Sequence, residues 1–324
     1  MHSIKDLQHA LNTALSALSF NREPKELYEP ISYTLSLGGK RMRPVLLLMS
    51  CDLFDGDITK AINPALGIEV FHNFTLLHDD IMDNAPLRRS MPTVHNKWDA
   101  NVAILSGDAM LIEAYRLMMQ VDNEVIKDVL TIFNDTAMMV CEGQQSDINY
   151  ETQQQVSIQD YIQMISMKTA VLLAGSMQIG AVIAGGNSVD ADHLYSFGKN
   201  LGIAFQLQDD ILDVYGDANK FGKQVGGDII ANKKTYLLLK AMELAQGDDA
   251  TILTETLANK TLVPQDKVAA ITALYNRLGV KDYALEAMQN YYQIAMQAMA
   301  AIALPDTRKE ILISFAERLM IREI

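Results

Sequence analysis

The stretch Leu76-Leu77-His78-Asp79-Asp80-Ile81-Met82-Asp83 ends a long apolar segment with three carboxylates. A near copy, Leu207-Gln208-Asp209-Asp210-Ile211-Leu212-Asp213, ends a second apolar segment. On a helix, residues i and i+4 share one face, so the outer aspartates of each Asp-Asp-x-x-Asp motif point the same way. Carboxylates this close repel one another unless cations lie between them. Mg²⁺ prefers oxygen ligands and usually takes one or two carboxylates plus substrate phosphates. The two motifs therefore predict two Asp clusters that face each other across a cavity and hold a diphosphate through Mg²⁺.

A single Asp-rich helix end has a plainer interpretation as a solvated face. Two copies are harder to explain in that way, because each follows an apolar run and each precedes a basic stretch. A functional role for both motifs is therefore the favoured interpretation.

Composition narrows the choice of partners. Lys and Arg number 27 against 40 Asp and Glu, which gives a net charge of −13. That balance argues against nucleic acid, whose phosphates are bound by basic faces, and against docking on an anionic membrane. An acidic protein that binds an anionic substrate needs local cations, which agrees with a metal-bridged site.

The apolar pattern is helical almost throughout, with no sustained alternation of period 2, so the chain is predicted to be all-α. Ser3-x-x-Asp6 is typical of a capping box at the start of the first helix. Asn63-Pro64 is predicted to begin the helix that carries the first motif, and a helix from about Asp190 to Tyr215 carries the second. A length of 324 residues allows about two domains. Because no low-complexity linker divides the chain, a single domain over residues 1–324 is preferred.

The sequence predicts a cytoplasmic location, because it has none of the features expected of a secreted or membrane protein. Cys51 and Cys141 form no disulfide framework, and a reducing cytoplasm is the simplest home for them. The amino terminus has no apolar signal-peptide core. No membrane span or stable anchor is expected, since no run of about 18 apolar residues occurs.

Basic and polar residues accompany the acidic motifs. The run from Gly38 to Pro44 places two glycines beside Lys40, Arg41 and Arg43 at a helix start, which favours a diphosphate seat. It is not a Walker loop, since no Ser or Thr follows Lys40. Further candidates are a double arginine after the first motif, a histidine two turns before it, and lysines around a glycine-rich loop: Arg88, Arg89, His72, Lys223 and Lys233. Each has an ordinary structural alternative, such as a surface salt bridge or a core histidine.

The order of these motifs is similar to that of the trans-isoprenyl diphosphate synthases, of the farnesyl and geranylgeranyl diphosphate synthase type. Five elements carry the resemblance over about Leu35 to Lys234: Gly38 to Pro44, Asp79 to Asp83, Arg88-Arg89, Lys168-Thr169 and Phe205 to Asp213. The resemblance implies a helical bundle around a central cavity. It also implies a Mg²⁺-dependent head-to-tail condensation of isopentenyl diphosphate with dimethylallyl, geranyl or farnesyl diphosphate, and a homodimer.

The resemblance also implies roles for individual residues. Three Mg²⁺ ions would lie on the allylic diphosphate, held by Asp79, Asp80, Asp83, Asp209, Asp210 and Asp213. The diphosphate of isopentenyl diphosphate would be bound by Gly39, Lys40, Arg43, His72 and Arg89. The allylic diphosphate would be contacted by Arg88, Lys168, Lys223 and Lys233. The carbonyl of Lys168, with Thr169 and Gln206, would line the forming cation.

Product length is implied by the helix before Asp79. A bulky residue there limits the pocket in this family, and Phe71 and Phe74 suggest a short product, whereas Thr75 is small. The two-residue insertion common in bacterial farnesyl synthases is absent between the first-motif aspartates. The expected product is therefore a C15–C20 all-trans prenyl diphosphate.

Three alternatives are weaker. A class I terpene cyclase usually has an Asn/Ser/Glu second motif, where this chain has aspartates. His78-Asp79 also occurs in metal phosphohydrolases, but those need further histidines, and this chain has six in all. A non-catalytic partner subunit typically loses its Asp motifs, and both are intact here.

Overall fold

The structure, a computed structural model, describes residues 2–216 and 225–321. In those ranges the chain is almost entirely helical, and its strands are confined to one hairpin of two residues per strand. The elements in chain order are α1 Ile4–Ala17, α2 Lys25–Ser36, α3 Met42–Leu53, α4 Ile58–Met82, β1 Leu87–Arg88, β2 Met91–Pro92, α5 Val94–Lys97, α6 Ala100–Met118, α7 Ile126–Thr152, α8 Ile158–Ile165, a π-helical turn Ser166–Ala170, α9 Val171–Ile183, α10 Ser188–Tyr215, α11 Gly227–Ile230, α12 Tyr236–Leu244, α13 Asp248–Ala258, α14 Pro264–Leu278, α15 Val280–Ala301 and α16 Asp306–Met320. The all-α prediction is confirmed.

Helix starts follow local capping chemistry. The predicted capping box of α1 is present, with the Ser3 hydroxyl accepting from the Asp6 N–H at 3.2 Å. The prediction that Asn63-Pro64 begins α4 is wrong. The helix starts at Ile58, because the Asp57 carboxylate accepts from the Thr59 N–H at 2.9 Å and caps it. Pro64 lies buried inside the helix, where packing outweighs the one backbone bond that proline cannot make.

The chain folds into two compact units. Unit 1 comprises Met1–Asn134, Gly175–Leu194 and Ala303–Ile311, and unit 2 comprises Asp135–Ala174, Tyr195–Ile302 and Leu312–Ile324. The first Asp motif belongs to unit 1, and the second belongs to unit 2. A single domain over residues 1–324 remains a prediction.

The core of unit 1 is built on α3 and α4. Every residue of α3 from Pro44 to Leu53 is buried, as expected of a helix that is apolar on all sides. Gly180 of α9 permits a very close approach to it, because a Cβ at that position would lie 2.2 Å from the Leu47 carbonyl oxygen. The backbone of α9 therefore packs directly on the backbone of α3, the helix that begins within the Gly38–Pro44 run.

The core of unit 2 surrounds the second half of α10. Leu207 and Ile211 are fully buried and belong to one apolar cluster with Leu237, Ile271 and Tyr275. Along α10 these apolar positions alternate with the polar positions of the second Asp motif. The helix is therefore fixed on one side by the core and presents carboxylates on another.

One segment is apolar and long enough to cross a membrane by composition alone. Ile158–Ile183 contains an 18-residue window of mean hydropathy 1.3, and 72% of that window is buried inside the protein. The segment is therefore a core element of the fold, interrupted by the π-helical turn.

Candidate active site

The first Asp motif lies at the carboxyl end of α4. Asp83 is the C-cap, and its N–H donates to the Asp79 carbonyl at 2.9 Å. The side chain of Asp80 is buried, and burial raises the pKa of its carboxyl against the opposing effect of Arg88. A helix carboxyl end already carries partial negative charge, so carboxylates placed there require cations nearby.

The β1–β2 hairpin supplies a cation to this motif. Arg88, the last residue of β1, donates from Nε to Oδ1 of Asp80 at 2.7 Å, and its Nη2 lies 2.6 Å from the same oxygen. The same Nη2 is 3.6 Å from Asp79 Oδ2. A guanidinium in this fork geometry binds oxyanions tightly and directionally. Arg88 therefore holds two carboxylates of the motif together.

The turn of this hairpin places a second arginine. Arg89 and Ser90 are its central residues, and both have left-handed backbone, with φ of 53° and 64°. Turns of this kind match the twist of a two-residue hairpin but normally use glycine or asparagine. Side chains in this region carry backbone strain, which is often retained at functional sites. This backbone conformation directs the side chains of Arg88 and Arg89 to different partners.

Arg89 lies against the Gly38-Gly39 loop. A Cβ on Gly39 would be 2.7 Å from Arg89 Nη2, and Gly39 itself has φ +139°. The backbone angle favours glycine, and the Arg89 guanidinium occupies the space that a side chain at position 39 would need. The loop then continues through exposed Lys40 to Arg41, whose φ of 49° precedes the first turn of α3.

His72 and Arg43 complete this group in unit 1. Arg43 Nη1 lies 3.2 Å from His72 Nε2, within hydrogen-bonding distance. Burial lowers the pKa of Arg43 to about 10. Burial also lowers the pKa of His72 well below its usual value, and the nearby Arg43 and Arg89 lower it further. His72 is therefore neutral near pH 7 and accepts from the guanidinium through Nε2.

Unit 2 contains a cavity of about 570 Å³. Its lining includes five of the residues predicted to bind substrate or metal, and these are Lys168, Thr169, Gln206, Asp210 and Lys233. The volume is within the usual range of small-molecule pockets. The structure thus gathers the Lys-Thr pair, the glutamine before the second motif and one of its aspartates around one space.

A chain of hydrogen bonds joins several side chains that line this cavity. The Thr169 hydroxyl donates to Gln206 Oε1 at 3.3 Å, and Gln206 Nε2 donates to Asp210 Oδ1 at 3.1 Å. The other oxygen of Asp210 accepts from the Tyr161 hydroxyl. Burial raises the pKa of Asp210 to about 8, and the Tyr161 hydrogen bond opposes that rise. Gln206 and Tyr161 therefore fix the orientation of the Asp210 carboxyl group, and Thr169 fixes Gln206 in turn.

Lys168 and Thr169 lie in the π-helical turn. A π-helical turn widens a helix by one residue and is frequent at functional sites. Two glycines allow neighbouring helices to support it closely. A Cβ on Gly143 would lie 2.3 Å from the Lys168 backbone nitrogen, and one on Gly202 would lie 2.7 Å from Ala170. The Lys168 ammonium is 2.5 Å from Asp147 Oδ2, which directs it along the cavity wall.

The other two aspartates of the second motif lie on the same helix as Asp210, and Lys233 lines the cavity. Asp209 and Asp213 are half-buried on α10, and Asp213 Oδ2 accepts the Asp228 N–H at 3.0 Å. Lys233 is exposed, and its N–H donates to the Asp228 carbonyl at 2.9 Å. Lys223, also predicted to contact a diphosphate, lies outside the described residues.

Aromatic rings cluster on the amino-terminal side of the first motif. Phe71 packs on Phe74 and Phe133, with ring centroids 5.6 and 5.2 Å apart. Phe74 also meets the His78 ring edge-on at 4.8 Å. Thr75 donates its hydroxyl to the His72 carbonyl at 2.8 Å, so its polar group is satisfied within its own helix.

Sequence reasoning missed three polar residues in unit 2. Asp147, Tyr161 and Asp228 line the cavity and contact Lys168, Asp210 and Asp213, respectively. None adjoins a recognised motif. The only sequence signal for Asp228 is its place after Gly226-Gly227, at a helix start. Asp147 and Tyr161 gave no separate signal, because a single polar residue on a long amphipathic helix is ordinary.

The donor atoms fit Mg²⁺. Among the described residues, no group of three or more His, Cys, Asp or Glu side chains is close enough to hold a metal unaided. Mg²⁺ does not need such a cage, since it retains waters and binds one or two carboxylates with substrate phosphates. Asp79 and Asp80 in unit 1, and Asp209 and Asp213 in unit 2, offer hard oxygen donors of that type.

The low pKa of His72 predicts a pH-dependent stability. Unfolded histidine has a pKa of about 6.5. Below that value the unfolded chain binds a proton that folded His72 does not, so stability falls with falling pH by up to about 1.4 kcal/mol per unit. We expect wild type to lose more stability between pH 7.5 and 5 than His72→Gln, measured by denaturant unfolding. His9→Gln, at an exposed position on α1, is the control. Parallel curves for wild type and His72→Gln would contradict the assignment.

Comparison with known proteins agrees with this geometry. The family model "Polyprenyl synthetase" matches residues 24–275. A geranylgeranyl diphosphate synthase of Sulfolobus acidocaldarius is 37% identical over 302 residues, covering 92% of this chain and 91% of that one. A short chain isoprenyl diphosphate synthase of Methanothermobacter thermautotrophicus is 34% identical over 301 residues, covering 93% and 91%.

Solved structures give the same result. A crystal structure of a geranylgeranyl pyrophosphate synthase has a TM-score of 0.95 and 43% identity, covering 100% of both chains. That of a geranylgeranyl pyrophosphate synthetase from Pyrococcus horikoshii has a TM-score of 0.91 and 34% identity, covering 99% of this chain and 97% of that one. The fold, the two Asp motifs and the family match lead to one conclusion: the chain belongs to the polyprenyl synthetase family of prenyltransferases.

Proposed function

We propose that the protein condenses isopentenyl diphosphate with an allylic diphosphate, head to tail, and releases an all-trans prenyl diphosphate. The observation that carries the proposal is the cationic seat in unit 1, where Arg43 contacts His72 and Arg89 lies against the Gly39 backbone. Such a seat suits a diphosphate that is bound but not cleaved. Relatives named geranylgeranyl diphosphate synthase favour a C20 product within the expected C15–C20 range.

The allylic diphosphate is the group that must leave. We assign it to the two Asp motifs with three Mg²⁺ ions, and to Arg88, Lys168, Lys223 and Lys233. When bound, Mg²⁺ would neutralise charge on the departing diphosphate and so favour ionisation of its carbon–oxygen bond. The arginine and lysine side chains add preorganised positive charge to the same leaving group.

The cavity of unit 2 is the proposed site of the allylic cation. The Thr169 hydroxyl and the Gln206 amide are already oriented by their mutual hydrogen bond. The Lys168 carbonyl lies in the π-helical turn, which disturbs regular helical bonding. Oxygen dipoles of this kind stabilise a carbocation without trapping it, as a strong nucleophile would. The double bond of isopentenyl diphosphate then attacks the cation, and a proton passes to the released diphosphate.

The aromatic cluster of α4 is proposed to limit product length. Phe71 and Phe74 are both buried, and the phenyl of Phe133 packs behind them. A growing prenyl chain directed toward these rings would stop when it reached them. Thr75, which is small, would leave space beside Phe74.

A homodimer is the proposed assembly. Leu105 and Ile112 on α6 and Met119 at its C-cap recur every seven residues and are 59%, 63% and 52% exposed. Ile104 adds a further exposed apolar side chain. An apolar stripe of this length on a helix surface is typical of an interaction site, and a second copy of the same helix is the partner that family expectation supplies. The cytoplasmic location and the absence of a stable anchor remain predictions from the sequence.

The function is tested by incubating the protein with isopentenyl diphosphate, Mg²⁺ and dimethylallyl, geranyl or farnesyl diphosphate in turn, with products identified by mass spectrometry. Condensation to a C15–C20 product is expected. Asp79→Ala and Asp209→Ala should each lower turnover by about a thousandfold or more, because each removes a ligand that stabilises leaving-group charge. Asp192→Ala, at an exposed position of α10, is the matched control. Absence of condensation with every allylic substrate would overturn the proposal.

Phe74→Ala is expected to lengthen the product by at least one five-carbon unit, because it removes the ring nearest in sequence to Asp79 in the cluster. Product chain length is read by mass spectrometry under single-primer conditions. Phe20→Ala removes a buried phenyl from the segment between α1 and α2, outside the aromatic cluster, and it should leave product length unchanged. An unaltered product with Phe74→Ala would contradict the proposed limit.

Ile112→Glu should shift the protein toward monomer, since a charge at the centre of the α6 stripe would be desolvated in the interface. Light scattering during gel filtration measures the change. Val189→Glu, at another exposed apolar position, is the control and should remain dimeric. A monomeric wild-type protein would refute the assembly itself.

A further inference from the structure

Glu69 is a buried acid that the proposed reaction does not use. It lies on α4 and is 3% exposed. Glutamate is almost never this buried unless it is paired, because burial of an unpaired carboxylate is costly. Its partners therefore indicate what it does.

One carboxylate oxygen of Glu69 is held by its own helix. Asn73, one turn later, donates from Nδ2 to Glu69 Oε1 at 3.1 Å and to the Glu69 carbonyl at 2.8 Å. The other oxygen, Oε2, is buried and has no hydrogen-bond partner among the described residues. Asn73 thus fixes the carboxylate and leaves Oε2 for groups from other elements.

Geometry places Arg43 close to Glu69, because Arg43 Nη1 lies 3.2 Å from Nε2 of His72, which is one turn after Glu69 on α4. The charges of Arg41, Arg43 and Arg89 act on the Glu69 carboxylate through space, without a direct hydrogen bond to its free oxygen. Burial raises the pKa of Glu69, and the hydrogen bond from Asn73 and these three cations oppose the rise. In return, the negative charge of Glu69 raises the pKa of Arg43 and of Arg89 against the burial that lowers both. The interaction is therefore reciprocal across three separate segments of unit 1.

Without the negative charge of Glu69, these arginines would repel one another. Arg41 and Arg88 each lower the pKa of Arg89 by repulsion. The Nε atoms of Arg41 and Arg43 are buried and, like Glu69 Oε2, lack a hydrogen-bond partner within the ranges that the structure describes. Like charges held this close need a counter-charge among them when no substrate is present.

We propose that Glu69 is a positioning residue that holds Arg43 and Arg89 together as the seat for the diphosphate of isopentenyl diphosphate. The inference rests on the proposed function, since it assigns a role within the same seat. Glu69 does not touch the substrate. It holds the guanidinium groups in place before binding, so that the incoming diphosphate meets donors that are already oriented.

The test is steady-state kinetics of Glu69→Gln, which keeps the side-chain shape and can keep the contact with Asn73 but removes the charge. The KM for isopentenyl diphosphate should rise about tenfold, because the guanidinium groups lose the counter-charge that keeps them close together. The KM for the allylic substrate and kcat should change by less than about twofold, since those parameters depend on other residues. Glu69→Asp, which keeps the charge, should recover at least part of the lost affinity.

The matched control is Glu113→Gln. Glu113 is likewise a carboxylate close to two arginines, Arg22 at 3.9 Å and Arg116 at 3.2 Å, but it lies outside the seat, on α6. Its substitution should leave both KM values unchanged.

Each outcome distinguishes a positioning role of Glu69 from a general effect of the substitution on protein stability. An unchanged KM for isopentenyl diphosphate in Glu69→Gln, or an equal rise for both substrates, would overturn the proposal. If Glu69→Gln does not fold, Glu69→Asp decides, because withdrawing the carboxylate by one methylene should still raise only the KM for isopentenyl diphosphate. Failure of the proposed function is a separate result, since the wild-type protein would then form no prenyl product at all.

Discussion

The structure depends on holding charges of like sign close together in a protein that is acidic overall. With a net charge of −13, an anionic substrate is repelled unless cations are concentrated where it binds. The Arg88–Asp80 pair shows how this is done at the first motif. Arg88 contacts Asp80 through two nitrogens and approaches Asp79 with one of them, so the acidic helix end is stable before any metal binds. If Mg²⁺ bound these carboxylates, as proposed, the same guanidinium would be free to contact a phosphate.

Backbone geometry makes this concentration of charge possible. Arg41 and Arg89 both have left-handed backbone, with φ of 49° and 53°, and Gly39 has φ +139°. A regular helix or strand would send neighbouring side chains in fixed directions. These unusual angles instead allow Arg88 to reach the carboxylates while Arg89 turns to Gly39. Such strain is tolerated because hydrogen bonds from Thr93 and Asn96 to the carbonyl of Ala85 hold the base of the hairpin.

The helical fold and part of the candidate site could be predicted from the sequence. The features that could not be predicted depend on contacts between distant segments. The period of the apolar residues indicated the all-α class, and the spacing within Asp79–Asp83 indicated the shared face, because both depend on local helix geometry. The start of α4 was misplaced, since Pro64 is a strong local signal that tertiary burial overrides. Asp147 and Tyr161 could not be found, because their partners lie in other helices and no local rule brings them together. Whether the two Asp motifs meet on one diphosphate stays a prediction.

The glycines of unit 2 show why a site can depend on residues that carry no chemistry. Gly143 and Gly202 let two helices approach the π-helical turn to distances that any Cβ would forbid. The turn is thereby held from two sides, although such turns are rare within α-helices. A side chain at either glycine would have to displace backbone, not a flexible side-chain end. Lys168 and Thr169 would then lose their alignment with Asp147 and Gln206, so the chemistry of the cavity is set by packing at positions that never face it.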